Sequence, residues 1–188
     1  GNNFLDPGWT NYTKQALYVT FDITKMLNKG NNAIGVQLGN GFYYIPSERY
    51  RKMTGAFGYP KMICYTLIEF IDGTKQIIAS DETWKTAPSP VFFSSIFGGE
   101  DYDARREQKG WNQIGFDDSH WRPVVIQEAP KGILRPQMAA PVKIMERYGV
   151  RKVTKLPPEQ IASACKSTKR TVDLSAFVLD MGQNLAGF

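Results

Sequence analysis

The 188-residue sequence is poor in the residue types that common metal and nucleophilic sites use. It has two cysteines and a single histidine. Cys64 and Cys165 lie far apart without a zinc-type spacing, and the sequence does not decide whether they pair. His120 has no serine in a Gly-x-Ser-x-Gly setting. Glycine-rich phosphate loops are also absent. We therefore expect neither a zinc centre nor a serine-type or nucleotide-dependent active site.

Long hydrophobic runs and blocks of like charge are missing as well. No apolar run approaches the roughly 18 residues of a membrane span, and Gly1 does not open a signal-peptide pattern. The 23 basic and 18 acidic residues give a net charge of +5 and are scattered along the chain. The densest basic cluster, Arg49, Arg51 and Lys52, indicates a solvated loop. We expect neither a membrane nor a nucleic acid as a partner.

What the sequence does contain is typical of a β protein. Hydrophobic residues make up 42% and aromatic residues 13%, enough for a core. Alternating apolar residues predict strands at 17–23 and 34–38, and an apolar run at 61–70 predicts a central strand. Asp72-Gly73 predicts a two-residue hairpin turn into a strand at 75–79. Further strands are predicted at 83–86, 91–97 and 123–127.

Short strands separated by frequent turns indicate an all-β fold. We predict an antiparallel β-sandwich of the jelly-roll, galactose-binding-like kind. A proline-containing stretch at 129–141 has little periodicity and marks a seam. We place one domain at 1–135 and the beginning of a second β-domain at 136–188.

The stretch 96–124 concentrates charge and aromatic rings. Trp111 and Trp121 should anchor the ends of a structured loop, and Asp117-Asp118-Ser119 between them is typical of an Asx turn. The acids before them allow two interpretations: a sugar- or calcium-binding loop, or ordinary ion pairs and caps with Arg105. No spacing favours a catalytic carboxyl pair, so the chain alone is predicted to be inactive. The acids in question are Glu100, Asp101 and Asp103.

Tyrosines near these acids offer platforms for sugars. Sugar rings present C–H faces that stack on aromatic rings, while their hydroxyls need polar partners. Tyr43, Tyr44 and Tyr102, with Tyr50 in the long loop, are the available rings. The competing interpretation is that a β core of this size uses its large aromatics for packing, and we favour it for Trp84, Trp111 and Trp121.

Several sequence strings, in order, resemble one family. They are LDPGWTNY (5–12), LYVTFDIT (17–24), GNNAIGVQLGNGFY (30–43), GGEDYDAR (98–105) and GWNQIGFDDSHW (110–121). Together they resemble the amino-terminal β-sandwich of bacterial α-L-rhamnosidases, glycoside hydrolase family 78. APVKIMERYGV (140–150) and FVLDMGQNLAGF (177–188) look like the opening of the following concanavalin-like β-domain in the same enzymes.

The resemblance implies a non-catalytic accessory fragment. The parent would remove terminal α-L-rhamnose with inversion, using an (α/α)6 barrel C-terminal to this chain. The fragment would pack against that barrel and the neighbouring β-domains, and the first strands of its own sandwich would precede it. Exported enzymes of this type imply a periplasmic or extracellular location.

The resemblance also implies an alternative function. Some similar sandwiches are carbohydrate-binding modules that hold L-rhamnose through calcium, with an acid–amide pair near this Gly-Asn-Gly turn. Asn40 matches the amide, but position 39 is glycine and not the acid. A rhamnose-containing glycan is the implied partner, with Asn40 and Asp101 as calcium neighbours. The candidate carbohydrate-binding residues are Asn40, Tyr43, Tyr44, Glu100, Asp101, Tyr102, Asp103 and Arg105.

Overall fold

The computed structural model describes residues 3–49, 57–165 and 175–184, without the side chains of 162–165. The chain divides into two compact units, the first running from Asn3 to Val142 and the second beginning at Lys143. The sequence placed the seam between residues 135 and 136, and the start of a separate β-domain there stays a prediction. Cys64 is a free thiol. Its pairing with Cys165, like the role of Tyr50, falls outside the described side chains.

Short strands dominate both units. A single-turn 3₁₀ helix lies at Thr24–Met26, a second at Ala104–Arg106, and an α-helix, α1, at Pro158–Cys165. No described helix has the length and apolar character needed to cross a membrane. The strands are β1 (Asn3–Phe4), β2 (Gln15–Tyr18), β3 (Tyr65–Glu69), β4 (Lys75–Ala79), β5 (Lys85–Thr86), β6 (Val91–Ser95), β7 (Gly99–Tyr102), β8 (Arg122–Pro123), β9 (Ile133–Pro136), β10 (Val142–Lys143), β11 (Lys152–Lys155) and β12 (Phe177–Asp180).

Strand pairing in the first unit is mostly antiparallel. The pairs β3–β4, β5–β8 and β6–β7 run antiparallel, while β2 and β9 run parallel with Gln15 opposite Ile133. A parallel pair needs a long connection, and here the chain between β2 and β9 contains most of the unit. In the second unit β11 pairs antiparallel with β12. The predicted all-β class is confirmed.

The β3–β4 hairpin forms where it was predicted, but its turn is longer than two residues. Phe70 N–H donates to the Thr74 carbonyl at 2.9 Å, so three residues lie between the paired positions. Gly73 has a φ of +84°, the left-handed conformation that closes a three-residue loop. The Asp72 carboxylate accepts the Thr74 N–H at 2.9 Å. This bond favours the longer turn, and the two-residue prediction was wrong.

Several predicted strands differ from the structure: the one predicted at 17–23 ends at Tyr18, and the one predicted at 123–127 is limited to Arg122–Pro123. Residues 34–38 do not form one of the described strands, although their apolar residues alternate. The backbone at Gly35 packs against the Trp111 ring instead. A Cβ added at Gly35 would lie 2.4 Å from Trp111 Cζ3. Helix α1 was not predicted. Pro158 in its first turn followed by Glu159 is a helix-start signal that the polar composition concealed.

Full burial is confined to few of the described side chains. Ile45 is 1% exposed in the first unit, and Ile161 is 3% exposed in the second. Two-stranded sheets cover little of their own faces, so aliphatic side chains such as Leu67 and Ile77 stay half-exposed. The apolar composition thus leaves large open faces beside a small core.

Gly132, directly before β9, lies close to the backbone of residues 12–15, and its replacement should loosen the β2–β9 pair. A Cβ at residue 132 would lie 2.5 Å from the Gln15 backbone nitrogen and 2.7 Å from the Tyr12 carbonyl oxygen. Backbone atoms cannot rotate away, so we expect Gly132→Ala to lower the free energy of unfolding by about 1–3 kcal/mol. Urea unfolding of the 188-residue chain measures this loss.

Gly39→Ala is the matched control, because a Cβ there has no neighbour within 4 Å. It should change the free energy of unfolding by less than about 0.5 kcal/mol. Equal unfolding midpoints for the two variants would show that β2 and β9 do not pack as described.

Candidate functional site

The β6–β7 hairpin carries the first group of candidate residues. Its register places Ser94 opposite Glu100 and Phe93 opposite Asp101. The Asn40 side-chain amide donates to the Ser94 carbonyl at 2.8 Å. The Gly-Asn-Gly turn is therefore attached to the hairpin, and Asn40 lies beside the strand pair that carries Glu100.

Asp101 forms an ion pair with Arg49. The guanidinium also lies over the Phe93 ring, 4.1 Å from its centroid, and donates to the Gly98 carbonyl at 3.2 Å. Its side chain is only 30% exposed. Arg49 lies at the surface, in line with the predicted solvated loop, and an aromatic face and a carboxylate hold its side chain there. Arg51 and Lys52 lie outside the described residues. Sequence spacing could not reveal this contact, which joins two distant segments.

Asp103 begins the second 3₁₀ turn and is bound by Arg105. Its carboxylate accepts the Arg105 backbone N–H at 3.1 Å and two guanidinium N–H groups at 2.8 and 2.7 Å. These bonds, with smaller help from Arg106, lower the pKa of Asp103 to about 2. The same pairing raises the pKa of Arg105, whose side chain is 90% exposed. The cap and ion pair that the sequence allowed are both present.

Two of the three candidate tyrosines, Tyr44 and Tyr102, form hydrogen bonds with other side chains. Tyr102 donates its hydroxyl to the Glu107 carboxylate, and that bond is the main reason that its pKa is raised. Tyr44 packs on Tyr59 with ring centroids 4.7 Å apart, and a hydrogen bond with Tyr59 raises the pKa of Tyr44. Both rings are therefore already partnered.

Tyr43 lies in a different environment. Its ring packs against Tyr12 and Phe57, with centroids 5.0 and 5.8 Å away. These three rings line a groove of about 230 Å³. Among the described residues, the other seven candidates do not line this groove. The structure thus brings Asn40, Glu100 and Asp101 to one hairpin and places Tyr43 elsewhere.

The aromatic loop after the acids folds as its sequence indicated. Trp111 and Trp121 stack with centroids 6.5 Å apart, and Trp121 Nε1 donates to the Gln108 side chain at 2.7 Å. Asp117 accepts the Ser119 N–H at 3.0 Å, as in an Asx turn, and Ser119 lowers the pKa of Asp117. The predicted anchors and the predicted turn are confirmed.

The donor set near Asn40 and Asp101 does not fit calcium. A calcium site gathers several oxygen ligands, whereas the charged partner of Asp101 is the Arg49 guanidinium, which repels a cation. Asn40 directs an amide N–H to Ser94. Across the described ranges, no three His, Cys, Asp or Glu side chains are grouped to hold a metal. No step is assigned to calcium.

Fold and site together define a small all-β domain of short, mostly antiparallel strands, with polar and aromatic side chains gathered on its connections. The family model of the alpha-L-rhamnosidase N-terminal domain matches residues 1–146. The chain belongs to this family.

Relatives and solved structures agree on the family. The chain is 35% identical over 196 residues to an alpha-L-rhamnosidase of Formosa agariphila, covering 100% of this chain and 18% of that protein. It is similar to the alpha-L-rhamnosidase structure from Dictyoglumus thermophilum, with 40% identity and a TM-score of 0.70 over 82% of this chain and 16% of that one. The Streptomyces avermitilis alpha-L-rhamnosidase, solved in complex with L-rhamnose, gives 31% identity and a TM-score of 0.62 over 82% and 15%. The chain therefore spans less than a fifth of the relatives it matches.

Removing the Arg105 guanidinium should raise the pKa of Asp103. We expect Arg105→Gln to move it from about 2 towards 3.8, because the largest stabilising bonds to the carboxylate are lost. A lowered carboxyl pKa adds stability above the unfolded value, and that stability is lost as pH falls towards the folded value. Between pH 4 and pH 2, the free energy of unfolding of the variant should therefore fall less than that of the unsubstituted 188-residue chain. Carboxyl-carbon NMR titration measures the shift directly.

Asp72 supplies the internal control for this titration. Thr74 lowers its pKa without any arginine, so Arg105→Gln should leave the Asp72 titration unchanged. An unchanged Asp103 midpoint in the variant would contradict the described ion pair.

Proposed function

We propose that this chain is a non-catalytic accessory domain of an enzyme that hydrolyses terminal α-L-rhamnosides with inversion. The parent is a bacterial member of glycoside hydrolase family 78 whose catalytic barrel lies outside this chain. The observation that carries the proposal is the family match over residues 1–146. Resemblance to exported enzymes supports a periplasmic or extracellular location.

The state of the carboxyl groups supports the absence of catalysis. Inverting glycosidases need two carboxyls about 6.5–9.5 Å apart, one of them an acid with a raised pKa. Within the described chain, each carboxyl with a resolved shift has a lowered pKa instead. In the acidic stretch, Asp101 and Asp103 are held by arginines, and Asp118 is 2.7 Å from Lys85 Nζ. Asp103, whose pKa is lowered to about 2, remains ionised and cannot donate a proton at neutral pH.

An open apolar face supports packing against the rest of the parent. In the β3–β4 hairpin Leu67 lies opposite Ile77, and Tyr65 lies opposite Ala79. Leu67, Ile77 and Tyr65 are all more than a third exposed, while Thr66 and Ile68 on the other face are half-buried. A hairpin with apolar residues on both faces is typical of a sheet covered on both sides. We assign the open face to the barrel or neighbouring β-domains.

An assay with an aryl α-L-rhamnoside tests this assignment. The purified 188-residue chain should give no turnover, whereas the whole parent should hydrolyse the substrate. Turnover by the chain that disappears in Asp103→Asn would refute the accessory role. In the parent, Leu67→Asp should lower the melting temperature because it places a charge in a packed face. Gln76→Asp, which lies opposite Ile68, is the control and should have a smaller effect.

A second candidate function is recognition of L-rhamnose by this domain. The similar Streptomyces avermitilis enzyme was solved with that sugar, and Asn40 lies beside the β6–β7 strands that carry Glu100 and Asp101. Amide and carboxylate groups are suitable partners for vicinal hydroxyls. In this proposal the Arg49–Asp101 pair supplies the local charge, and calcium is not required.

NMR titration with L-rhamnose tests this second function. Millimolar sugar should shift the amide signals around Asn40 and Glu100 equally with calcium or with a chelator. Asn40→Ala should abolish the shifts, and Asn112→Ala, an exposed amide on another loop, should not. Unperturbed spectra at saturating sugar would eliminate rhamnose recognition at this hairpin.

A further inference from the structure

The groove beside Tyr43 is separate from the acidic hairpin and has its own chemistry. It has a volume of about 230 Å³, smaller than pockets for drug-sized ligands, which begin near 300 Å³. A ligand that fits is therefore about one sugar ring in size. The side chains relevant here are Tyr12, Tyr43, Phe57, Lys61, Glu128 and Lys131.

Three aromatic rings form one wall of the groove. Tyr12 meets Tyr43 and Phe57 edge-on, with both centroid distances at 5.0 Å. The Tyr12 hydroxyl, like any tyrosine hydroxyl at neutral pH, can donate a hydrogen bond, and burial raises its pKa further. The Phe57 N–H donates to the Tyr43 carbonyl at 3.0 Å, which fixes the two rings relative to each other. A fixed aromatic wall stacks a sugar ring without a large ordering cost.

The charged residues that line the groove give it a net positive charge. Lys61 Nζ donates to the Glu128 carbonyl at 3.0 Å, which holds the ammonium group at the groove. Lys131 is a second lysine among the lining residues, and Glu128 is the one acid among them. Two cations against one anion favour a ligand that brings a negative charge.

We propose that this groove binds a pyranose unit that carries an anionic group, a hexuronate being the simplest example. The sugar ring packs against the wall formed by Tyr12, Tyr43 and Phe57, while its carboxylate lies against Lys61 and Lys131. Glu128 accepts hydrogen bonds from ring hydroxyls. This proposal rests neither on the rhamnosidase assignment nor on rhamnose recognition at the β6–β7 hairpin, because its ligand is different. Of the candidate carbohydrate-binding residues, Tyr43 alone lines the groove.

Titration of the 188-residue chain with D-glucuronate and D-glucose tests the proposal, since the two sugars differ only at carbon six. NMR should show shifts at Tyr12, Tyr43 and Phe57 with glucuronate, and about fivefold weaker binding of glucose, the gain expected from an exposed charge pair. Sodium acetate should not reproduce the shifts of the aromatic signals. Equal affinities for the two sugars, or no shifts at these rings, would overturn the proposal.

Two substitutions separate charge from stacking. Lys131→Gln should weaken glucuronate binding about twofold, because Lys61 keeps its share of the gain, and should leave glucose binding unchanged. Lys109→Gln removes an equally exposed charge outside the groove and should have no effect. Phe57→Leu keeps apolar bulk but loses the ring face, so both sugars should bind about fivefold more weakly. If both lysine variants lost glucuronate affinity equally, the net charge of the domain would explain the binding, and the proposed site would be rejected.

Discussion

The attachment of residues 40–49 to the β6–β7 hairpin is the constraint on which the rest of the first unit depends. Asn40 binds the Ser94 carbonyl at one end, and Arg49 pairs with Asp101 at the other. Between these two contacts lies Ile45, which is 1% exposed and is the most deeply buried side chain of the described first unit. Because paired strands alone cover little surface, the small core exists where this connection is held against the hairpin.

The same contacts decide what the acidic stretch can do. Before folding, the stretch has the composition of a site for cations or hydroxyls. In the folded chain, Arg49 forms an ion pair with Asp101 and Arg105 forms one with Asp103. Tyr102 donates a hydrogen bond to Glu107. Such exposed ion pairs contribute little to stability, but they consume the negative charge that a calcium ion would need. The arginines therefore convert a candidate metal site into a self-contained polar surface.

Sequence reasoning succeeded where the determining interactions are local. The strand predicted from the apolar run at 61–70, its return strand at 75–79 and the Asx turn at Asp117 all depend on neighbours within a few residues. The jelly-roll class followed from the spacing of such signals. The resemblance to α-L-rhamnosidases added the family, which no local pattern contains, and the family match over residues 1–146 supports it.

Long-range contacts account for most of what could not be predicted. The parallel pairing of β2 with β9 and the Arg49–Asp101 pair each join segments that share no pattern in the sequence. The aromatic groove is an example of the same kind, since its rings come from three separate segments of the chain. Periodicity reports which face of an element is apolar, but not which distant face will cover it.

The acidic stretch and the aromatic groove differ in how folding distributes their charges, which the sequence did not reveal. The sequence shows only a mild net charge of +5 without any clear patch. Folding redistributes this charge, because three acids of the stretch are matched by arginines or lysines, whereas two lysines reach the groove with Glu128 as the accompanying acid. The two lysines make the proposed groove more favourable for an anion than the composition indicates, while the aromatic wall packs against the sugar ring. Local geometry, and not the total charge, therefore determines which surface of this domain can attract a charged sugar.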